Sequence, residues 1–587
     1  MGMAANSTSI TVSVIVAVYN VRAQVVEAID SLLAQEFTDF EALIVDDGST
    51  DGSGEVARAA WGEDPRFRLI QQENRGLSGA RNAGLSEARG QFVAFLDGDD
   101  GYAPAFLSDL LAAIEREGTE WAACGVDLVY PDGTRSAHPA IHGLEGGGAA
   151  QRMDLSDARD VARLFPSAWN KLYRRAAFGD VRFPEGSWFE DHEVFWKFAA
   201  RNKALAYVPQ PLYWHRRDRE GQITGADDDR VFDQIAVLER LKPVIEGGEF
   251  SHAQDGFARL ATRLVHERAM VIRNQPRRAR FIATVRQKFA AWGIQYSAAW
   301  DPTISLGFGL ALQGVMPLSV IVIADPADTT GLAQSLAALD HQTMGDFEVF
   351  VLGVDDKDLP PRAANAHAVR CVTAADLPAL LTGASVVIYR ARERPAPDGL
   401  LWLVNLIERS QTPMAFGGLI RDRGGYHDGW ADNRVAGRDL QAMPAMGDVI
   451  EMAPEQALRL YPALSNCIFR PELLARCEPI LTGAPTLCAV QASVLGLSLA
   501  STQVGYTRLP VSMTGDDPAT AGALREVAKW VQSMAQPNPL GGETGALPLG
   551  WRGMVFLRMA RMSMDDGAGV WRWLRVLGVA WRAGFLR

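Results

Sequence analysis

The sequence predicts an α/β fold in which a doubly wound sheet of parallel strands occurs twice. Apolar β-branched runs such as Ser13 to Tyr19 are typical of strands buried on both faces of a parallel sheet. These runs alternate with segments of helical periodicity, as in nucleotide-binding α/β domains. The pattern then restarts near Pro317. Because 587 residues exceed what one hydrophobic core supports, we expect two to four domains.

The first copy is predicted to alternate strands and helices up to a strand that ends at Asp97. In chain order, strands are expected over 13–20, 40–45, 67–71 and 92–97, and helices over 25–34, 54–61 and 80–88. The second strand ends in Asp46-Asp47-Gly48, a turn rich in residues that accept backbone N–H groups.

The carboxylates that follow the fourth strand are the strongest chemical signal in the chain. Asp97, Asp99 and Asp100 lie within four residues, with Gly98 between the first two. Clustered carboxylates repel one another unless a hard cation such as Mg²⁺ or Mn²⁺ shares their charge, and such an ion also binds phosphate oxygens. The carboxyl ends of strands are where open α/β sheets bind ligands. A metal and diphosphate site is therefore predicted here, against the alternative of an Asp-Gly turn.

Composition excludes several other classes of protein. The formal net charge of -12 argues against a nucleic-acid binder, which would carry a basic face. The five cysteines are scattered and lack CxxC spacing, so we expect buried thiols in a reducing cytosol, not disulfides or a zinc site. We also expect neither a signal peptide nor a transmembrane helix.

Several motifs, taken together and in order, resemble the inverting family 2 glycosyltransferases of GT-A fold over about 220 residues. They are Ser13-Val14-Ile15-Val16-x-Val18-Tyr19-Asn20, Val45-Asp46-Asp47-Gly48-Ser49-Thr50-Asp51, Asn74-Arg75-Gly76 with Ala80-Arg81-Asn82, Phe95-Leu96-Asp97-Gly98-Asp99-Asp100, Trp169-Asn170-Lys171-Leu172-Tyr173-Arg174, Glu190-Asp191-His192 and His215-Arg216-Arg217.

The resemblance implies a nucleotide-sugar donor, with a UDP-sugar expected. Asp47 would accept the uracil imide N–H, Tyr19 would border the base, Arg81 would lie near the diphosphate and Asp97 would reach the ribose. The first three have structural alternatives. In these, Asp47 is a turn or helix-cap aspartate, Tyr19 is a core aromatic residue and Arg81 forms a surface salt bridge. The full predicted donor site is Ala17, Tyr19, Asn20, Asp47, Arg81, Asp97, Gly98, Asp99 and Arg217.

The resemblance also implies a metal ion and a catalytic base. Mn²⁺ or Mg²⁺ would be held by Asp99, Asp100 and His215, and the sequence leaves open which aspartate is the main ligand. Asp191, favoured over Glu190, would deprotonate the acceptor hydroxyl. Alternatively, the two carboxylates only favour a helix N-terminus, and 215–217 is only a solvated charge run.

The second copy has lost the corresponding chemistry. Residues 383–400 align without gaps with 90–107, which places Arg390 opposite Asp97 and Arg392 opposite Asp99. Guanidinium groups cannot bind a cation, and Thr486 and Leu487 fall where Glu190 and Asp191 would be. A degenerate, inactive domain is predicted, whose arginines either bind an anion or lie on a structural or dimerising surface.

Four segments follow from these patterns: a catalytic domain (10–225), a helical connector (226–310), a degenerate GT-A-like domain (316–515) and a basic amphipathic tail (516–587). The arginine-rich segment 551–587 either lies on a membrane surface or docks on the protein itself. We expect a cytoplasmic enzyme, at the inner face of the plasma membrane if the tail binds lipid, that transfers sugar to a glycan or lipid-linked acceptor in surface polysaccharide biosynthesis. A non-catalytic nucleotide- or glycan-binding subunit is the alternative, and a homo-oligomer is left open.

Overall fold

The computed structural model describes most of the chain in two compact units. Described residues are 10–138, 150–217, 227–301, 303–363, 366–391, 393–422, 427–428, 450–452, 464–477, 481 and 504–514. One unit comprises Met1–Arg268 with Phe289–Ser297, and the other Ala269–Lys288 with Ala298–Arg587. Arg392, Thr486, Leu487 and the tail 516–587 lie outside the described residues, so the predictions made for them stay predictions.

The first unit is built on one mixed sheet flanked by helices. Its strands run in the order β3-β2-β1-β4-β9-β6-β10-β5, with β7 beside β6 and β8 beside β10. The strands are β1 Val12–Val18, β2 Phe40–Asp46, β3 Phe67–Gln71, β4 Phe92–Asp97, β5 Gly101–Tyr102, β6 Trp121–Val129, β7 Arg135–Ala137, β8 Gln151–Asp154, β9 Lys171–Arg174 and β10 Ala204–Arg216. The helices are α1 Val25–Leu33, α2 Ser53–Ala60, α3 Gly76–Glu87, α4 Phe106–Glu117, α5 Ala158–Val161, α6 Arg175–Phe178, α7 Asp191–Arg201 and α8 Asp233–Glu246.

The predicted α/β order of the first copy is confirmed. Strands β1, β2 and β4 pair in parallel, and nearly every residue in them is buried, as their continuous apolar sequences require. The sheet is nevertheless not wholly parallel, because β9 pairs antiparallel with both β4 and β6. This strand has only four residues, too few for its sequence pattern to reveal its direction.

The second unit repeats the same sheet. Its strand order, β13-β12-β11-β14-β19-β16-β20-β15, matches that of the first unit position by position. The strands are β11 Met316–Ile323, β12 Phe347–Leu352, β13 Val369–Cys371, β14 Gly383–Arg390, β15 Arg394–Pro395, β16 Met414–Asp422, β17 His427–Asp428, β18 Ile450–Met452, β19 Cys467–Phe469 and β20 Val504–Thr514. The helices are α11 Leu306–Leu312, α12 Thr329–Asp340, α13 Leu377–Leu380 and α14 Gly399–Ser410, while α9 Ala253–Val271 and α10 Gln275–Trp292 contain residues of both units.

Buried polar contacts are duplicated along with the strands. The Ser13 hydroxyl donates to Glu41 at 2.7 Å, and that of Ser319 to Glu348 at 2.6 Å. Each hydroxyl also accepts a backbone N–H from a glycine. Ser13 accepts from Gly90, which lies just before β4, and Ser319 accepts from Gly383, the first residue of β14. Satisfied buried polar groups fix strand register, so the internal repeat extends from the fold to its polar core.

The predicted connector, 226–310, forms helices that the two units share, and its boundaries stay a prediction. Within the described part of the chain, no helix is both long enough and apolar enough to span a bilayer.

Candidate functional site

The site lies at the carboxyl ends of β1, β2 and β4. In the sheet register, Ala17 on β1 is opposite Val45 on β2 and Asp97 on β4. The Gly98 N–H donates to the Ala17 carbonyl at 2.9 Å, which fixes the turn that follows β4. A Cβ atom at position 98 would lie 2.9 Å from that same oxygen, so only glycine fits without displacing a strand end.

Arg81 joins the carboxylates that sequence patterns had placed in separate motifs. This α3 side chain is almost fully buried, and its guanidinium donates to Asp97 at 2.8 Å, to Glu190 at 2.7 Å and to Asp191 at 2.5 Å. The alternative of a surface salt bridge is therefore wrong. One cation holds the end of β4 and the start of α7 together, so the predicted donor and base residues form a single cluster.

The pKa values of both Glu190 and Arg81 are raised in this cluster, for different reasons. Burial, followed by the charge of Asp191, raises the pKa of Glu190 to about 8, although Arg81 opposes the shift. Burial alone would lower the pKa of Arg81, but Asp191, Asp97 and Glu190 raise it above its usual range. Glu190 is thus mainly protonated at neutral pH, while Arg81 is always charged.

Asp191 is held at both carboxylate oxygens. Oδ1 accepts from Arg81, and Oδ2 accepts from the Ala168 backbone N–H at 3.1 Å. Asp191 is the first residue of α7, and Phe189, two residues before it, has a φ of +60°. A non-glycine residue in that region of the backbone is unfavourable unless its surroundings impose it, as at many functional sites.

Asp100 is committed to contacts within the protein. Its two oxygens accept from the Tyr213 hydroxyl at 2.7 Å and from the Arg216 backbone N–H at 2.8 Å. Burial, then the charges of Asp99 and Asp97, raises its pKa well above the usual range. These contacts tie the turn after β4 to β10 and direct the Asp100 carboxyl group into the protein.

Asp99 and His215 fit a divalent cation better. Asp99 is half-buried next to the end of β4. Burial, then the charge of Arg217, lowers the pKa of His215 to about 4, so its ring is neutral at neutral pH. Its buried Nδ1 has no hydrogen-bond partner among the described residues. A neutral imidazole and a carboxylate are suitable ligands for Mn²⁺.

Among the described residues, no group of three or more His, Cys, Asp or Glu side chains is arranged to hold a metal ion. Diphosphate oxygens are suitable further ligands for Mn²⁺ or Mg²⁺ at such a strand end.

The predicted base-binding residues lie on two adjacent loops. Tyr19 is 48% exposed, so the alternative of a core aromatic is wrong. Asn20 connects the loops after β1 and β2, because its Oδ1 accepts the Thr50 N–H at 2.9 Å. Asp47 is buried, and its Oδ1 accepts from Gln72 at 2.6 Å and from the Arg75 N–H at 2.9 Å. Asp47 thus supports the start of α3, which leaves its role as a nucleotide contact a prediction.

Two residues near the predicted base, Asn82 and Lys171, were not identified from the sequence as site residues. Asn82, on α3, accepts from the Phe183 N–H at 2.9 Å and donates to its carbonyl at 2.8 Å, which anchors the segment leading to Asp191. Lys171 is buried and donates to backbone carbonyls close to Ala168. Both lie in motifs that the sequence had singled out, but only the fold reveals what they contact. Arg217 is half-buried at the end of a described segment.

The second unit presents different chemistry at the same strand end. Arg390 on β14 pairs with Ile323 on β11, just as Asp97 on β4 pairs with Ala17 on β1 in the first unit. The predicted alignment is therefore confirmed at this position. Its guanidinium is paired with Glu393 at 3.0 Å, and its backbone N–H also donates to Glu393 at 2.7 Å.

Comparison with known proteins agrees with this site. Residues 13–182 match the family model described as "Glycosyl transferase family 2". The chain is 36% identical over 189 residues to the uncharacterized glycosyltransferase EpsJ of Bacillus subtilis, covering 30% of this chain and 54% of EpsJ. It is 27% identical over 235 residues to a GalNAc(5)-diNAcBac-PP-undecaprenol beta-1,3-glucosyltransferase of Campylobacter jejuni, covering 39% of this chain and 72% of that protein.

Among solved structures, S. aureus TarS in complex with UDP-GlcNAc resembles the chain at 19% identity and a TM-score of 0.35, covering 49% of this chain and 93% of the TarS fragment. This likeness is too weak to support an argument. The chain spans 54% to 60% of the length of two relatives from Bacillus subtilis that it matches. Residues 13–182 of this chain thus resemble a glycosyl transferase family 2 domain, in agreement with the α/β fold of the first unit.

Proposed function

We propose that this chain is an inverting glycosyltransferase that moves a sugar from a nucleotide-sugar, expected to be a UDP-sugar, to a glycan or lipid-linked acceptor. The observation that carries the proposal is the buried contact of Arg81 with both Asp97 and Asp191. It keeps the predicted donor-binding strand end and the predicted base in one cluster, as a single displacement requires.

In this reaction Asp191 accepts the proton of the acceptor hydroxyl as that oxygen attacks the anomeric carbon. A carboxylate suffices because the hydroxyl becomes acidic only as the new bond forms. Glu190, with its raised pKa, adds little negative charge beside the base at neutral pH. Arg81 keeps Asp191 oriented.

Asp99 and His215 would hold the metal ion, and Mn²⁺ or Mg²⁺ there would neutralise charge on the diphosphate leaving group. Asp100, which is buried and bound to Tyr213 and to the Arg216 N–H, would support the turn that carries this site. The sequence left the two aspartates equivalent, and the proposal now favours Asp99 because it is the more exposed of the two.

The acceptor remains open between a free glycan and a lipid-linked one. The Campylobacter jejuni relative is named for transfer onto an undecaprenol-linked glycan, which supports a lipid-linked acceptor and a role in surface polysaccharide biosynthesis. Residues 551–587 would then provide membrane contact at the cytoplasmic face.

The proposal is tested with the full chain, Mn²⁺ and a panel of UDP-sugars. We expect calorimetry to show that UDP and Mn²⁺ bind together. One donor should be hydrolysed or transferred with inversion. With an α-linked donor, the proton NMR spectrum should then show the β-anomer as the first sugar released. Asp191→Asn should lower turnover by about 10²- to 10⁴-fold and leave UDP binding intact.

Asp180→Asn is the matched control, since Asp180 is an exposed carboxylate whose ion pair with Arg201 lies at the opposite end of α7. Its turnover should equal that of the wild type. A chain that binds UDP with Mn²⁺ but turns over no donor would favour the non-catalytic subunit instead.

A further inference from the structure

A buried lysine beside the proposed base has no part in the chemistry described so far. Lys171, the first residue of β9, is 1% exposed. Its ammonium donates to the Phe165 carbonyl at 3.0 Å, the Ser167 carbonyl at 2.5 Å and the Asn170 side-chain oxygen at 2.8 Å. The Ser167 hydroxyl is a fourth, more distant acceptor at 3.4 Å. The three closer acceptors match the three donors of a protonated amine, so this is a satisfied site for a charged lysine.

One of these acceptors belongs to the peptide group that contacts Asp191. The Ser167 carbonyl and the Ala168 N–H are the two ends of a single planar peptide. Lys171 binds its oxygen, while its N–H donates to Asp191 Oδ2 at 3.1 Å. If this peptide rotated, it would turn its carbonyl towards Asp191, and two oxygen lone pairs would then face each other.

We propose that Lys171 is a positioning residue for the base: by holding the Ser167 carbonyl, it keeps the Ala168 N–H directed at Asp191. The charge on the amine also polarises the peptide and strengthens its N–H as a donor. This inference rests on the proposed function, because it assigns Lys171 a role only through Asp191.

The second unit provides an internal comparison. Asn170 and Asn466 occupy equivalent positions, and each side-chain amide donates to a strand carbonyl at 2.7 Å, that of Cys124 in one case and Gly417 in the other. The next residue, however, is Lys171 in the first copy and the buried Cys467 in the second. In sequence, Leu487 falls near the position that corresponds to Asp191. The copy in which no base is predicted thus lacks the lysine but keeps the asparagine.

The surroundings of Lys171 make its proton sensitive to pH near neutrality. Burial lowers its pKa to about 7, which Asp191 and the thiol of Cys124 partly oppose. The aromatic ring of Phe195 on α7 lies 5.4 Å from the amine and also favours its charged form. Loss of the proton leaves two donors for three acceptors, so the contact that fixes the peptide weakens as pH rises.

The test compares wild type with Lys171→Met and Lys171→Gln, using Lys197→Met as the matched control. Lys197 is on α7, but its ammonium pairs with Glu193 at 2.6 Å and is partly exposed. The assay uses the UDP-sugar that the wild type hydrolyses fastest. We expect kcat to be about 10- to 100-fold lower in both Lys171 variants, as for other lost supporting contacts. The KM for the donor and the affinity for UDP should stay within about twofold of the wild-type values.

Two further readouts separate positioning from folding. The decline of wild-type kcat above pH 7 should be absent from the residual activity of Lys171→Gln. Amide exchange at Ala168 should be faster in both variants than in the wild type or Lys197→Met. If Lys171→Met fails to fold, two measurements still test the inference. One is the kcat of Lys171→Gln, and the other is the Ala168 exchange rate of the wild type at pH 6 and pH 9, corrected for intrinsic exchange.

Unchanged kcat and unchanged Ala168 exchange in a folded Lys171 variant would overturn the inference while leaving the glycosyltransferase proposal intact. If the wild type itself hydrolyses no donor, the proposed function fails, and Ala168 exchange alone then shows whether Lys171 fixes this peptide.

Discussion

Replacing Arg81 by methionine should both destabilise the first unit and disable the base. Arg81 is 1% exposed and is paired with Asp97, Glu190 and Asp191 at distances of 2.5 to 2.8 Å. Methionine preserves much of the side-chain volume but leaves Asp97 and Asp191, with Glu190 beside them, without the Arg81 charge. Breaking a buried ion pair from one side typically costs about 3–5 kcal/mol, and we expect a loss of this order in the free energy of unfolding.

The same change should affect catalysis through the position of Asp191. Without the guanidinium, Asp191 keeps the Ala168 N–H at Oδ2 but loses the contact that fixes Oδ1. Turnover should fall by about 10- to 100-fold, as for other lost supporting contacts. Arg81→Lys should fall between wild type and Arg81→Met, because an ammonium keeps the charge but cannot bridge three carboxylates in one plane.

Arg75→Met is the matched control for stability. Arg75 directly precedes α3, and its ion pair with Glu185 has side chains that are 52% and 39% exposed. Exposed pairs contribute about 0–1 kcal/mol, so this variant should unfold at nearly the wild-type urea concentration. Urea denaturation of the full chain measures both variants. Equal losses in Arg81→Met and Arg75→Met, or wild-type turnover in Arg81→Met, would refute the role assigned to the Arg81 cluster.

Three other predictions follow from the site. Burial raises the pKa of Glu190 to about 8, so the folded state keeps a proton that the unfolded chain releases above about pH 4.5. The free energy of unfolding should therefore decrease as the pH rises from about 4.5 to about 8. Between pH 5.5 and pH 8, the melting temperature should decrease less in Glu190→Gln than in the wild type. Gly98→Ala should cost about 1–3 kcal/mol, because its Cβ would meet the Ala17 carbonyl at 2.9 Å, and calorimetry should show weaker UDP binding. His215→Ala should weaken Mn²⁺ binding in saturating UDP by about tenfold, whereas unchanged affinity would remove His215 from the metal site.

The fold was predictable where apolar periodicity reflects burial. Strands β1, β2 and β4 are continuous apolar runs because both faces of each are covered, so their sequences alone locate them. The direction of β9 was not predictable, since four residues carry no directional pattern. It is set by pairing with β4 and β6, which are 74 or more and 42 or more residues earlier in the chain.

The site was predictable as a set of residue types but not as a set of contacts. The aspartate cluster after β4 stands out in sequence because crowded carboxylates are costly. Whether each carboxylate faces solvent or the protein depends on tertiary partners: Tyr213, which occupies Asp100, is 113 residues away. Arg81 likewise finds Asp191 across 110 residues, a pairing that no local pattern encodes.

The two sheets of this chain separate the residues that build the fold from those that perform chemistry. Gln35 and Gln342 make equivalent contacts, donating to the carbonyls of Ala103 and Ala396 at 2.8 and 2.7 Å, so this glutamine belongs to the scaffold. The two units differ in the connection that leads into β4 in the first and into β14 in the second. This connection contains the 12-residue α3 in the first unit but the four-residue α13 in the second.

Arg81 lies on α3, whereas the connection that contains α13 in the second unit, residues 372–382, has no arginine or lysine. Arg390 occupies the strand end where Asp97 stands in the first copy, and Glu393 pairs with it within the same turn. A carboxylate at position 390 would therefore have no arginine from this connection beside it, whereas the Arg–Glu pair carries its own counter-charge. The shorter helix and the reversed charge thus agree with each other: this strand end carries the Arg81 cluster in the first unit and an Arg–Glu pair in the second.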